Sequence, residues 1–205
     1  SQLTGSNKLV KTDYGRLILE ADNSYSGGTR IEGGTLQLGN GGTTGSIVGD
    51  IANDGLLAVN RSNALTLSGV ISGSGGLWQA GSGTTILAGA NTYTGGTEIG
   101  NGTLQISADA NLGATSGSLI FNGGKLATTQ TFDMARAITL AQAGEFDVGG
   151  HTVLGLTGAV SGPGDLLKTG GGILRLDNAG NAYGNPLVRE GGLVGNAASI
   201  SGNIG

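Results

Sequence analysis

Residues 23–38 read NSYSGGTRIEGGTLQL, and residues 91–106 read NTYTGGTEIGNGTLQI. The two stretches align without a gap, Asn23 on Asn91, at an offset of 68. The match runs back toward the N-terminus, with Leu9 on Leu77, Gly15 on Gly83, Ile18 on Ile86 and Leu19 on Leu87. A weaker third copy begins at Gly164 as GDLLKTGGGILRLDNAGNAYGNPLVREGGLVG. There Leu166 aligns with Leu77, Gly172 with Gly83 and Leu193 with Leu104, all at an offset of 89. Around Tyr183 this copy gains one residue and then loses one, so that the GGT of the earlier copies reads as Asn185-Pro186-Leu187.

The offsets of 68 and 89 differ by 21. A chain wound into coils of roughly 21–23 residues makes the first offset three coils and the second four. A solenoid accepts one extra coil because each coil touches mainly its neighbours. A closed barrel accepts it badly, since strand number, tilt and shear are coupled. Short alternating runs supply the strands. In TLQLG (35–39) and TLQIS (103–107) the apolar residues are Leu36 and Leu38, then Leu104 and Ile106. Alternation places each pair on one face. LTLSG (65–69), SLIFN (118–122), AITLA (137–141) and TVLGLTG (152–158) are similar. Such strands do not stand alone. Stacked parallel, they predict about nine coils and a rod roughly 40–45 Å long at about 4.8 Å per strand.

The composition agrees. Glycine supplies 44 of 205 residues, and a coil that bends about three times needs residues that reach positive φ cheaply. Asn101-Gly102, Gly33-Gly34 and Gly191-Gly192 each precede a strand and read as bends. The same dipeptides also favour hairpins, so a stack of meanders stands as the alternative. Ten Lys and Arg are scattered along the chain, which offers nucleic acid or anionic lipid no basic patch. No run approaches the roughly 20 apolar residues of a spanning helix, so the segment reads as not membrane-embedded. There is no cysteine, hence no disulfide framework and no thiolate chemistry.

Residues 7–38 and 72–106 resemble the passenger-associated repeat of bacterial autotransporters. The resemblance rests on Leu9, Lys11, Gly15, Leu17, Leu19, Asn23, Tyr25, Gly27, Gly28, Thr29, Gly34, Thr35 and Leu36 in the first copy. In the second it rests on Leu77, Gly81, Gly83, Leu87, Asn91, Tyr93, Gly95, Gly96, Thr97, Gly102, Thr103 and Leu104. Gln79 replaces the usual Lys there, and Thr85 replaces a Leu. The resemblance implies a right-handed parallel β-helix carried to the bacterial cell surface, or secreted, after passage through the periplasm and outer membrane. It also implies a C-terminal β-barrel translocator in the parent protein. No series of roughly ten-residue amphipathic strands closes this chain, and no signal peptide opens it. The chain therefore reads as one β-helical fragment, residues 1–205, of a larger passenger. Its repeat copies span about 3–40, 67–106 and 156–195, with spacer coils 41–66 and 107–155. A disulfide formed in the periplasm would obstruct passage through a narrow pore, and the chain has none.

Candidate chemistry is sparse. His151 is the single histidine, with Asp147 and Glu145 before it; one His and no Cys make no ordinary zinc site. Asp50 with Asp54, or Asp133 with Arg136 and Glu145, are the carboxylate groupings that a polysaccharide-cleaving β-helix enzyme would need. Spacing alone does not bring three carboxylates together. No catalytic, cofactor-binding or metal residue is assigned, and the segment reads as non-enzymatic. Trp78 follows the inward Leu77, so alternation puts it outside as an exposed contact, for sugar stacking or for capping a turn. Tyr25, Tyr93 and Tyr183 share one repeat position and read as structural, as do Asn23, Asn91 and Asn181. In the third copy Gly192 and Leu193 are also read as structural repeat positions. Two functional classes follow: a stalk that displays a distal functional region of an adhesin, or a surface that itself self-associates or binds a host or matrix molecule.

Overall fold

The computed structural model describes residues 1–196 and 198–200 of the chain. Among the described residues the regular structure is all β-strand apart from a single 3-10 turn, Asp109–Leu112. The strand pairs are parallel throughout. The chain winds as a three-faced solenoid. The second face is an eight-stranded sheet that begins at Arg16–Leu19 and ends at Val160–Ser161. The bridge from Ser161 to Ala182 adds a ninth passage. The third face carries seven strands, from Leu65–Leu67 to Pro186–Val188. The first face is split. Four strands run from Leu9–Lys11 to Ile71–Ser72, and four more from Phe132–Met134 to Gly192–Val194. Between them lie two irregular stretches, around residues 88–96 and 107–118. Backbone hydrogen bonds from Thr92 to Ile71 and from Ala114 to Tyr93 carry the stacking across the gap. Among the described residues no helix is long and apolar enough to cross a membrane.

Stacking is driven by inward columns of apolar side chains. On the second face Leu36, Leu57, Leu77, Leu119, Ile138 and Val160 follow one register. Each is fully or almost fully buried, which contributes about 1.5–3 kcal/mol per side chain. On the third face Leu104, Leu126 and Phe146 do the same, and Phe146 packs against Phe121 with ring centroids 4.8 Å apart. The alternation legible in the sequence is therefore the pleat of these sheets, and among the described residues no hairpin joins two strands.

Coil length differs slightly from the expectation. Between paired strands the separation of register partners on neighbouring coils runs from 19, as in Arg16 with Thr35, to 22, as in Thr97 with Leu119, and the isolated bridge from Asp22 to Ser46 spans 24. Coils of 21–22 residues fall in the expected range, and those of 19–20 are shorter. This changes the meaning of the offsets. Leu9 lines up with Thr29, Ile51 and Ile71 on the first face, which is three coils. Leu77 lies beyond Ile71, on the second face. Likewise Leu77 lines up with Thr97, Leu119, Ile138 and Val160, four coils on, while Leu166 lies on the third face. Each offset is thus a whole number of coils plus one face.

Candidate functional site

Each repeat copy folds back on itself in the same register. In the first copy Leu9 pairs with Thr29 and Arg16 with Thr35. In the second Leu77 pairs with Thr97 and Thr84 with Thr103. In the third Leu166 pairs with Pro186 and Ile173 with Gly192. A copy is therefore a clamp of two stacked half-coils around one corner. The first clamp closes the corner between the first and second faces, the second that between the second and third, and the third that between the third and first. The register also corrects the alignment at Tyr183. The counterpart of Gly95-Gly96-Thr97 is Gly184-Asn185-Pro186, one residue earlier than Asn185-Pro186-Leu187.

Three devices hold each clamp. The first is a buried polar side chain at the corner. Lys11 donates through Nζ to the carbonyls of Thr12, Asp13 (2.8 Å) and Gly33 (3.1 Å). Lys168 does the same to Thr169, Gly170 (2.7 Å) and Glu190 (3.3 Å). Burial lowers the pKa of Lys168, opposed by the charges of Asp147 and Glu190. In the second copy Gln79 donates through Nε2 to Gly81 (2.8 Å) and Gly83 (3.2 Å), while its Oε1 accepts from the Thr85 hydroxyl. Over these carbonyls sits a glycine with positive φ: Gly34 (φ 64), Gly102 (φ 58) and Gly191 (φ 68). A Cβ on Gly34 would fall 2.3 Å from the Gly15 carbonyl oxygen. The sequence points to Gly192 for this position. The positive φ belongs to Gly191, and Gly192 lies within a strand.

The second device is an asparagine that spans three coils. Asn91 Oδ1 accepts from Ile71 N at 2.7 Å, and its Nδ2 donates to Asn111 O at 2.6 Å. Asn23 links Leu3 N (2.8 Å) to Ser46 O (3.0 Å). Asn181 links Val160 N (2.9 Å) to Ser199 O (2.8 Å). In each case the oxygen reaches the preceding coil and the amide the following one. Such bonds satisfy backbone groups that a bend would leave orphaned inside the rod.

The third device is the buried tyrosine. The Tyr25 hydroxyl bonds Thr29 Oγ1 at 2.7 Å, and Tyr93 bonds Thr97 at 2.6 Å. Burial pushes the Tyr93 phenol up to about 12, against a smaller pull from the Thr97 hydrogen bond and the Arg136 charge. In the third copy Tyr183 is buried too, and Pro186 stands in the Thr position. Beside the tyrosine the backbones nearly touch. A Cβ on Gly27 would lie 2.4 Å from Asn7 C, and one on Gly95 2.5 Å from Gly75 C. Gly28 and Gly96 follow with φ of 79 and 81.

The candidate catalytic groups are dispersed. Arg136 is fully buried and pairs with Asp109 at 2.8 Å. It also donates to the carbonyls of Asp109, Leu112, Gly113, Ala114 and Gly117, and so holds the 107–118 loop. Asp133 pairs instead with Arg175 on the first face, at 2.8 Å. Glu145 and Asp147 lie outside the third face with Lys125, at 2.8 and 3.6 Å. His151 occupies an exposed turn with φ 63. Asp50 and Asp54 accept backbone bonds from Val70 and Ser74. Among the described residues no three His, Cys, Asp or Glu side chains gather where they could hold a metal. Trp78 lies on the outer second face, half-buried, with Glu98 as its direct register partner.

The carbonyl cage of Arg136 and the link between Gln79 and Thr85 escape a reading of the sequence. The second had a signal, since both departures from the repeat pattern fall in one copy. The first had a lone Arg ahead of a strand, which reads equally well as surface.

A parallel solenoid whose repeat serves corners and core is the architecture that the passenger-repeat resemblance implies. Comparison with known proteins agrees. The Passenger-associated-transport-repeat family matches at residues 9–38, 77–106 and 166–192. Over 172 residues, 84% of this chain, the sequence is 38% identical to the Adhesin BmaC autotransporter of Brucella suis biovar 1 (strain 1330). The chain spans about 5% of that relative's length. No solved structure matches it significantly. The chain belongs to the autotransporter passenger domains.

Proposed function

We propose that this segment is a non-enzymatic stalk of a cell-surface or secreted autotransporter adhesin, which displays a functional region held elsewhere in the parent protein. One observation carries the reading: the copies repeat their interior more closely than their exterior. Inward positions keep their character, as in Leu9, Leu77 and Leu166, or Leu36, Leu104 and Leu193. Outward positions vary more: Ile18 and Gln37 recur as Ile86 and Gln105 but become Arg175 and Val194 in the third copy, and Val10, Trp78 and Leu167, or Arg30, Glu98 and Leu187, differ in all three. The one-face advance also turns the three copies toward three different corners. A surface that binds by repetition would present the same side chains along one line. A rod that must only stack and stand has no such need. The adhesin relative supports an adhesive parent.

Sedimentation velocity across concentration tests the proposal, with capping coils added at both ends because open edges pair artificially. An elongated monomer at every concentration is expected. Reversible dimers or larger species would replace the stalk by a self-associating surface, and binding to a host matrix preparation would replace it by a directly adhesive one.

A further inference from the structure

The outer column of the second face runs Ile18, Gln37, Ala58, Trp78, Glu98 and Ile120. Glu98 is the only charged side chain among these six. It stands directly beside Trp78 on the neighbouring strand, about 4.8 Å away at the backbone. On the Gly76 side of the pair a groove of about 360 Å³ opens. Gly76, Gly95 and Gly96 leave its floor without side chains, and Leu56, Trp78 and Ile120 wall it. The indole nitrogen is turned away from water over Gly100, where a Cβ would lie 2.7 Å from Nε1. Trp78 and Glu98 are both among the residues that line the groove. Glu98 Oε1 accepts one hydrogen bond, from Asn122 Nδ2 at 3.2 Å, and has no ion-pair partner among the described residues.

We infer that this groove receives a lysine or arginine side chain of a partner protein. The apolar walls suit the aliphatic stem, the indole face attracts a cation, and the Glu98 carboxylate supplies the opposite charge. An anionic ligand is repelled by Glu98. A neutral sugar would stack on the ring but would bury the carboxylate without neutralising it. The site goes beyond the stalk reading: it is a single contact point on one face, set by side chains that the other two copies lack.

Trp78 is the only tryptophan, so its fluorescence reports on the groove directly. The chain is titrated at low salt with a blocked tetralysine peptide, and separately with methyl β-glucoside. Expected is a saturable change in emission with the peptide, weakened about tenfold by Glu98→Gln or by about 0.5 M salt. Asp147→Asn, on another face, should leave the change intact. A response that survives Glu98→Gln, a response equalled by the glucoside, or no saturable response to the peptide each overturns the inference. If Glu98→Gln fails to fold, the salt titration on the unaltered chain decides the same question. Failure here leaves the stalk reading standing, because that reading rests on sedimentation.

Discussion

In the first and third repeat copies a buried lysine, Lys11 or Lys168, closes the corner; in the second copy Gln79 does so. An ammonium only donates, and three turn carbonyls use up its protons. A carboxamide donates twice and brings an acceptor oxygen that must itself be satisfied. Thr85 provides that donor. Where the corner residue is Lys, the position of Thr85 holds Leu17 or Leu174, which has nothing to offer and nothing to ask. The two chemistries are alternative solutions to one problem, and each is a pair of residues. The second copy also avoids burying a charge, at the clamp that has coils packed on both sides throughout.

The largest test of this comparison bears on what all copies share. Leu36→Asp and Leu104→Asp each place an unpaired charge in a fully buried column and should cost about 5 kcal/mol, abolishing cooperative unfolding in urea. Leu193→Asp, only half-buried, should cost clearly less. Equal losses at all three positions would mean that the copies are not graded by burial.

Arg136→Met comes next. It strips the donors from five loop carbonyls and leaves Asp109 without its partner, which should cost about 3–5 kcal/mol. Hydrogen exchange should rise around residues 107–118 and at Tyr93, beneath that loop, before it rises in the first copy. Uniform acceleration along the chain would count against a local clamp.

The direct test of the comparison is a double-mutant cycle. Gln79→Lys alone brings an ammonium next to Thr85 and should cost about 1–3 kcal/mol. Adding Thr85→Leu should recover most of it, since the pair then matches the other copies. Purely additive losses in thermal or urea melts would show that residues 79 and 85 are not coupled.

The smallest effect concerns the link between the second and third copies. Lys125, in register with Thr103, pairs with Glu145, which also accepts from Thr169 Oγ1 at 2.7 Å. Burial pushes the Glu145 carboxyl up, but hydrogen bonds from Lys125 and Thr169 outweigh it and hold the pKa below the ordinary 4.5. A carboxylate depressed on folding stabilises above that ordinary value and loses its contribution as pH falls through the folded one. The stability difference between the native chain and Glu145→Gln should therefore be at most about 1 kcal/mol at pH 7. It should shrink as pH falls below the ordinary 4.5 and vanish once pH has passed below the folded value. A difference independent of pH would remove the ion pair from the account.

By itself the sequence determined several of the strands, their inward residues and the existence of a three-copy repeat, and it favoured a parallel solenoid over a stack of meanders. These follow from two-residue alternation and from self-similarity, which are local properties and survive without coordinates. Asn23, Asn91 and Asn181 could also be read as backbone partners, because their place beside tight bends leaves amides to satisfy. Only the tertiary structure decided which face each copy occupies. That phase depends on how much chain each corner spends, and coil lengths between 19 and 24 sum to offsets that end one face on. It likewise decided that Arg136 is buried and Asp133 is not its partner, and that Trp78 stands beside Glu98. Neighbours across coils are a full turn of the solenoid apart in the chain, and the register that joins them is set by every corner between.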